Sequence, residues 1–322
     1  MKLNKTKEME MNHNLKIIIP LTIGMLLTAC VSNTPAPVSE LEPTTVKSTP
    51  EYFLNSSEYK LLLNAEMFGD YEKGFAEYWQ IIKEVAAAEG IPVLEKDNPL
   101  KVKHKQVSFW DTEGLDLRKN SFLLRRKSKY KDGEIAPGYE FGLKFRQPDQ
   151  ATTLSKDLSM TDGYVPKFDR IELESDIVYY SAKNGGDDVT YAVSNSVQLD
   201  DMPSNTYGGF VKIYPVLATL GISEEAELSM VAGTAVEEWM VKPGKLDFGD
   251  GLYGRMDMSV WIVETEEGEL RIAEFSFDHD FTKDSQYDAE AMKRCTTFIN
   301  KLNDYKPEWS EVGKLKAAYL FE

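Results

Sequence analysis

Cationic side chains recur at alternate positions in several short stretches of this chain, and carboxylates recur in the same way further along. Residues 107–127 read VSFWDTEGLDLRKNSFLLRRK and end on Arg125, Arg126 and Lys127; residues 143–146 read LKFR, with Lys144 and Arg146 two apart. Guanidinium and ammonium groups grip phosphate or carboxylate oxygens, arginine through its bidentate fork. Glu172 with Glu174, and Glu274 with Asp278, offer hard oxygen ligands of the kind that Mg²⁺ or Mn²⁺ takes. The chemistry available is therefore the holding and neutralising of a polyanion. The whole chain is acidic, with 37 Lys and Arg against 53 Asp and Glu and a formal charge of −16. That balance excludes nucleic acid as a partner of the surface as a whole, and it leaves the grouped cations to find a smaller anion.

The elements that position these groups read as strands of period two. Over residues 139–146, Tyr139, Phe141, Leu143 and Phe145 take one face, and Glu140, Gly142, Lys144 and Arg146 the other. The alternation recurs over residues 168–177 and 270–278. Further strands are predicted over 58–63, 101–110, 122–127, 235–241 and 255–263. Residues 184–209, rich in Gly, Asp, Ser and Asn, read as a long excursion. A helix capped by Asp70 and stopped by Gly90 carries Phe75, Tyr78, Trp79, Ile82 and Val85 at helical spacing. Another spans roughly 288–302, and a short helical region covers 211–220. An open antiparallel sheet with one wet face would alternate too. The grouping of Arg125 with Lys127, Lys144 with Arg146 and Arg170 with Glu172 and Glu174 favours closure, apolar faces outward beneath helices and charges facing across a polar tunnel. Like charges at close range in such a space repel, so it calls for a polyanion and metal.

Ahead of the strands, Lys2, Lys5, Lys7 and Lys16 precede an apolar run over residues 17–27 that is too short to span a bilayer as a helix and reads as a signal-peptide core. Leu27-Thr28-Ala29-Cys30 resembles the bacterial lipobox, which implies cleavage before Cys30 and its lipidation. Val31 stands where an inner-membrane retention signal would place Asp, which favours the periplasmic face of the outer membrane. Removing residues 1–29 takes away four Lys and two Glu, moving the formal charge from −16 to −18. The expected organisation is a signal peptide over 1–29, a Ser, Thr and Pro-rich tether over 30–55 and one folded domain over 56–322. With Cys30 acylated, Cys295 has no internal disulfide partner and reads as a buried structural thiol.

Taken in order, the charged motifs resemble those of the CYTH superfamily, the triphosphate tunnel metalloenzymes. Asp111-Thr112 with Leu115-Asp116-Leu117-Arg118, then Leu124-Arg125-Arg126-Lys127, are similar to its second and third strands. Leu143-Lys144-Phe145-Arg146 resembles its fourth-strand Lys-x-Arg, Arg170-x-Glu172-x-Glu174 its fifth-strand run, and Glu274-x-Ser276-x-Asp278 its closing acidic strand, preceded by the single acid Asp257. The first-strand signature Glu-x-Glu-x-Lys falls on Ser56, Glu58 and Lys60. The resemblance runs from Ser56 to the end of the chain. It implies an α+β fold built on a closed eight-stranded antiparallel β-barrel with flanking helices, hydrolysing an inorganic or organic triphosphate with Mg²⁺ or Mn²⁺. Carried over position by position, Lys60, Arg125, Lys127, Lys144, Arg146 and Arg170 grip phosphate. Glu58, Glu172, Glu174, Asp257, Glu274 and Asp278 hold metal, and Lys60 and Glu174 are the catalytic candidates.

Ser56 and Ser276 stand where the family has carboxylates, and the run Glu237-Glu238-Trp239-Met240 lacks an arginine, with Lys242 as its substitute. These departures keep two other readings open: a non-catalytic, lipid-anchored binding protein for a polyphosphorylated or other anionic ligand, and a scaffold for an envelope partner. Beyond residue 29 the only histidines are His104 and His279, and no Ser/His/Asp constellation is apparent. For the anchor, Cys30→Ser in the full-length chain is expected to abolish incorporation of labelled palmitate and to move the protein from the detergent phase to the aqueous phase. Retention in the detergent phase would contradict lipidation at this residue.

Overall fold

Alternating apolar and polar residues build nine long strands in the computed structural model: β1 (Ser56–Leu63), β2 (Lys103–Asp111), β3 (Phe122–Lys131), β4 (Tyr139–Gln147), β5 (Glu172–Tyr179), β6 (Asp187–Leu199), β7 (Val236–Val241), β8 (Tyr253–Thr265) and β9 (Gly268–Asp280). The structure describes residues 54–168, 171–179, 187–201, 203–265, 268–281, 288–311 and 315–321, all within the unit Pro50–Glu322. The signal peptide, the lipobox with Cys30, the tether as far as residue 53, and Arg170 lie outside the described residues.

The strands close into a ring. Antiparallel pairing runs β1–β9–β8–β7–β2–β3–β4–β6–β5, and a parallel pairing of β5 with β1 completes the circle. The fold is thus a closed, predominantly antiparallel barrel with flanking helices, but with nine strands where the sequence reading expected eight. The ninth is β6, which lies inside the stretch read as a loop. Its outward residues Val193 and Val197 are fully buried, while the opposite face carries Ala192, Ser194 and Ser196 around them, so its polar, small-residue composition hides the alternation. The register explains the small residues: Lys144 lies opposite Ser194, Arg146 opposite Ala192 and Gly142 opposite Ser196. Long cations on β4 can pass over β6 only because nothing large stands there. A ring with an odd number of strands cannot alternate direction all the way round, so one parallel seam is unavoidable.

Helices cover the outer wall. Helix α1 (Tyr71–Ala88) starts where the Asp70 carboxylate accepts the Lys73 N–H at 3.1 Å, and the chain leaves it through Gly90 at φ +62°. Its Phe75, Tyr78, Ile82 and Val85 are buried with Leu61, Phe275 and Phe277 of the barrel, joined by Phe298 and Cys295 of α2 (Ala289–Tyr305). Cys295 is fully buried, and burial pushes its thiol up to about 12, the behaviour of a core residue. The opposite wall, with Phe122, Phe141, Leu173 and Val193, is covered by Phe210, Tyr214 and Leu217. These come from a one-turn helix (Tyr207–Val211) and a 3₁₀ turn (Pro215–Leu220) rather than from the single helical region expected.

The parallel seam is fastened from both faces. Outside, Ser57 and Ser175 share a hydrogen bond at 2.6 Å; at the end, Asn55 accepts the Leu173 N–H at 2.7 Å and the Phe281 N–H at 2.6 Å. Inside, the Asp176 carboxylate of β5 is ion-paired with Lys60 of β1 and Arg146 of β4, and is itself fully buried. Burial alone would raise its pKa, yet Arg146 and Lys60 outweigh that and hold it well below the carboxylate range. A carboxylate depressed on folding contributes stability that is present above its unfolded value and lost as pH falls towards its folded one. Asp176→Asn, which strands two buried cations, is expected to cost about 3–5 kcal/mol in urea unfolding. It should also lose less stability than wild type as pH falls below about 4, the window between the unfolded and the depressed folded value.

Candidate functional site

The lumen holds a cavity of about 350 Å³, within the range of roughly 300–1,000 Å³ usual for small-molecule sites. Nine cationic and seven acidic side chains line it among the described residues, a positive balance inside a chain of charge −16. Of the residues expected to grip phosphate, Lys60, Arg125, Lys127, Lys144 and Arg146 all face this space; so do Glu58, Glu172, Glu174, Asp257 and Glu274 of the expected metal ligands. The structure therefore brings them together, though they divide into two unlike groups.

On the seam side the charges are matched. Lys60 meets both Glu58, at 2.8 Å, and Asp176; Arg146 meets Asp176 as well, and Lys144 meets Glu174. Burial opposes the charge on Lys60 and Arg146, but the neighbouring carboxylates more than compensate and raise both above their ordinary values. Glu58 is lowered in turn, Lys60 overcoming the effect of burial. Each cation of this network has a carboxylate partner without a ligand, although the buried Arg146 Nε–H finds no acceptor among the described residues.

Across the lumen the balance tips. Arg125 makes no ion pair or hydrogen bond among the described residues, and Lys127 reaches only Glu140, at 3.9 Å, a carboxylate it shares with Lys167. The Arg125 guanidinium, with burial second, pushes the Lys127 ammonium down to about 7. Lys105, 3.6 Å from Glu238, is likewise lowered, chiefly by burial. Opposite Arg125 in the register stands Gly142, where a Cβ would come within 2.9 Å of Ser196 Oγ. Glycine is needed there because Ser196 stands across the register, and it brings no side chain into the cavity beside the Arg125 guanidinium.

One end of the lumen is not polar. Leu62, Val107, Phe109, Trp261 and Ile272 form an apolar cluster that also takes in Leu320 of a C-terminal 3₁₀ turn (Lys316–Leu320). Leu315, Lys316 and Ala317 line the cavity here beside Val107, Phe109 and Trp261. The same turn sends Lys316 into the cavity, where its Nζ lies 3.0 Å from Glu274 Oε1, donates to Ser259 Oγ at 2.6 Å and sits 4.8 Å over the Trp261 ring.

The carboxylates expected to hold metal do not meet as a donor set. Glu174 is held by Lys144, Asp257 by Lys242 at 2.7 Å, and Glu274 by Lys316. Asp278 does not line the cavity and pairs with Arg255, which also takes Asp280. Among the described residues no group of three His, Cys, Asp or Glu side chains is arranged to hold a metal ion. The physical reason is competition: Glu58, Glu174, Asp257, Glu274 and Asp278 each already face a lysine or arginine through at least one oxygen. Burial raises Asp257 and Asp278 above their ordinary values despite these partners, and Glu58 adds to both by repulsion.

Several lumen residues were not singled out from sequence. Asp176 extends the period-two run of Glu172 and Glu174 by one step, and Lys105 that of Lys101 and Lys103, so both were within reach of the pattern. Glu238, whose pKa falls to about 2 because Lys316 and Lys105 outweigh its burial, and Lys316 itself carry no such signal, since only tertiary closure joins them. No family model and no curated protein matches this chain. Among solved structures it is similar to a candidate adenylyl cyclase from Hippeastrum described as having a dominant triphosphatase activity, at 14% identity over 83% of this chain and 95% of that one, with a TM-score of 0.41. A candidate adenylate cyclase from Bacillus halodurans aligns at 12% identity over 82% and 96%, with a TM-score of 0.37. A Pyrococcus horikoshii protein aligns at 11% identity over 82% and 96%, with a TM-score of 0.34.

Proposed function

We propose that the lumen captures a small polyphosphorylated anion, with Arg125, Lys127 and Lys105 as its primary contacts. The observation that carries this reading is the imbalance at Arg125 and Lys127: a guanidinium without a hydrogen bond or ion pair among the described residues, beside a lysine whose charge it suppresses. A protein that gathers such groups in a closed space gives up stability for it, and an anion placed between them removes the repulsion. Arginine's fork and the neighbouring ammonium suit phosphate oxygens, and the cavity they line supplies room. The expected anchor at Cys30 would hold this pocket at a membrane face of the cell envelope.

Metal-dependent hydrolysis of a triphosphate is the second reading, and the mutual repulsion of Glu58, Asp257 and Asp278 is what favours it. Phosphate release from tripolyphosphate that requires Mg²⁺ or Mn²⁺ would identify the protein as a hydrolase. Binding with release at background identifies it as a receptor.

Calorimetric titration of the fragment from residue 33 with tripolyphosphate is expected to show saturable binding. Arg125→Ala should weaken it by on the order of 10- to 100-fold, the loss of one or more charge-assisted hydrogen bonds. Lys293→Ala, on the exposed surface of α2, should leave it unchanged. Equal affinity in wild type and Arg125→Ala would refute the assignment. Binding must also restore the Lys127 proton. Since the free ammonium titrates at about 7, the complex should take up close to one more proton at pH 8 than at pH 6, and affinity should fall as pH rises above 7. Lys127→Gln, titrated in buffers of different ionisation enthalpy, should lack that uptake; the same uptake in the variant would exclude Lys127 as its source.

A further inference from the structure

Binding of a triphosphate in a barrel with carboxylates on its walls suggests a divalent cation bridging the two. Here the wall supplies its own cations at the positions such an ion would need. Glu274 is almost wholly buried, and its Oε1 lies 3.0 Å from Lys316 Nζ, an ammonium that is itself only 13% exposed. That ammonium is fixed from two further sides, by Ser259 Oγ at 2.6 Å and by the Trp261 ring at 4.8 Å. Its backbone is anchored by Leu320, buried in the apolar end of the lumen. A second lysine, Lys242, holds Asp257 at 2.7 Å. Ser276 stands opposite both Lys60 and Asp257 in the register, where a carboxylate would have offered a further hard ligand. Metal binding at Glu274 Oε1 would displace Lys316 and take from a nearly buried ammonium its carboxylate partner.

From these contacts we propose that the pocket takes its polyanion free of divalent metal. Lys316, carried in by the C-terminal turn, serves as the built-in cation that neutralises Glu274 and faces the ligand. The proposal rests on the reading of the lumen as a polyanion site. An ammonium held in place by a carboxylate, a hydroxyl and an indole ring needs no ordering when the anion arrives, which is the advantage a bound metal ion would otherwise bring. The ligand class follows: a free polyphosphate or phosphorylated anion rather than its magnesium complex.

Titration of the fragment with tripolyphosphate in EDTA and in excess Mg²⁺ tests this. Binding in EDTA should be at least as tight as in Mg²⁺, with Mg²⁺ weakening it several-fold because it competes for the ligand. Binding seen only with Mg²⁺, or tightened tenfold by it, would overturn metal independence while leaving the polyanion site standing. No binding in either condition would overturn both. Lys316→Met should weaken binding in EDTA about tenfold and make Mg²⁺ favourable, since Glu274 is then released. Glu274→Gln, which keeps the shape of the wall and frees the ammonium, should bind in EDTA as tightly as wild type or more so. Unchanged affinity in Lys316→Met, or loss of EDTA binding in Glu274→Gln, would remove Lys316 from the site.

Discussion

The Asp176 carboxylate, wholly removed from solvent between Lys60 and Arg146, is the interaction on which the rest of the barrel depends. Nine strands force one parallel contact, and a parallel ladder is slightly less stable per residue than an antiparallel one. At that seam the sequence places three charged side chains from three strands. Arg146 reaches its partner across β6, past Ala192, so the small residues of that strand are as necessary to closure as the charges are. Buried ion pairs are a weak source of net stability, because desolvation offsets the attraction. Their value here is register: moving any of the three strands by one residue would turn its charge into the apolar outer wall.

The lumen reads as two electrostatic halves on one scaffold. At the seam every cation has its carboxylate, and the pKa directions of Lys60, Arg146 and Asp176 all favour charge. Across from it, Arg125 and Lys127 work against each other and Lys105 is disfavoured by burial. The first half holds the barrel; the second is left with a charge demand that its own residues do not meet. A positive pocket in a strongly acidic protein also concentrates field lines at its opening, which draws small anions while the outer surface turns larger ones away.

Much of this was legible in the sequence because period two is a strong signal wherever large apolar residues alternate with charges. The strands around Tyr139–Gln147 and Gly268–Asp280 show it plainly, and the capping of α1 by Asp70 was equally readable. The strand Asp187–Leu199 was not, because the space above it belongs to Lys144 and Arg146, and the residues that make room look like loop. The facing of Arg125, Lys127, Lys144 and Glu174 into one space followed from alternation plus closure. What alternation cannot supply is pairing. Lys316 lies far in sequence from the strand whose carboxylate it neutralises, and neither its pairing with Glu274 nor that of Lys242 with Asp257 leaves a periodic signal.

The central claim is that the unmet charge at Arg125 and Lys127 is where an anion sits. A crystal of the fragment soaked in tungstate and measured at the tungsten absorption edge tests it most directly. The account predicts an anomalous peak within hydrogen-bonding reach of Arg125 and Lys127, beside Gly142. A peak at Lys60 and Arg146, or peaks confined to the outer wall, would contradict it.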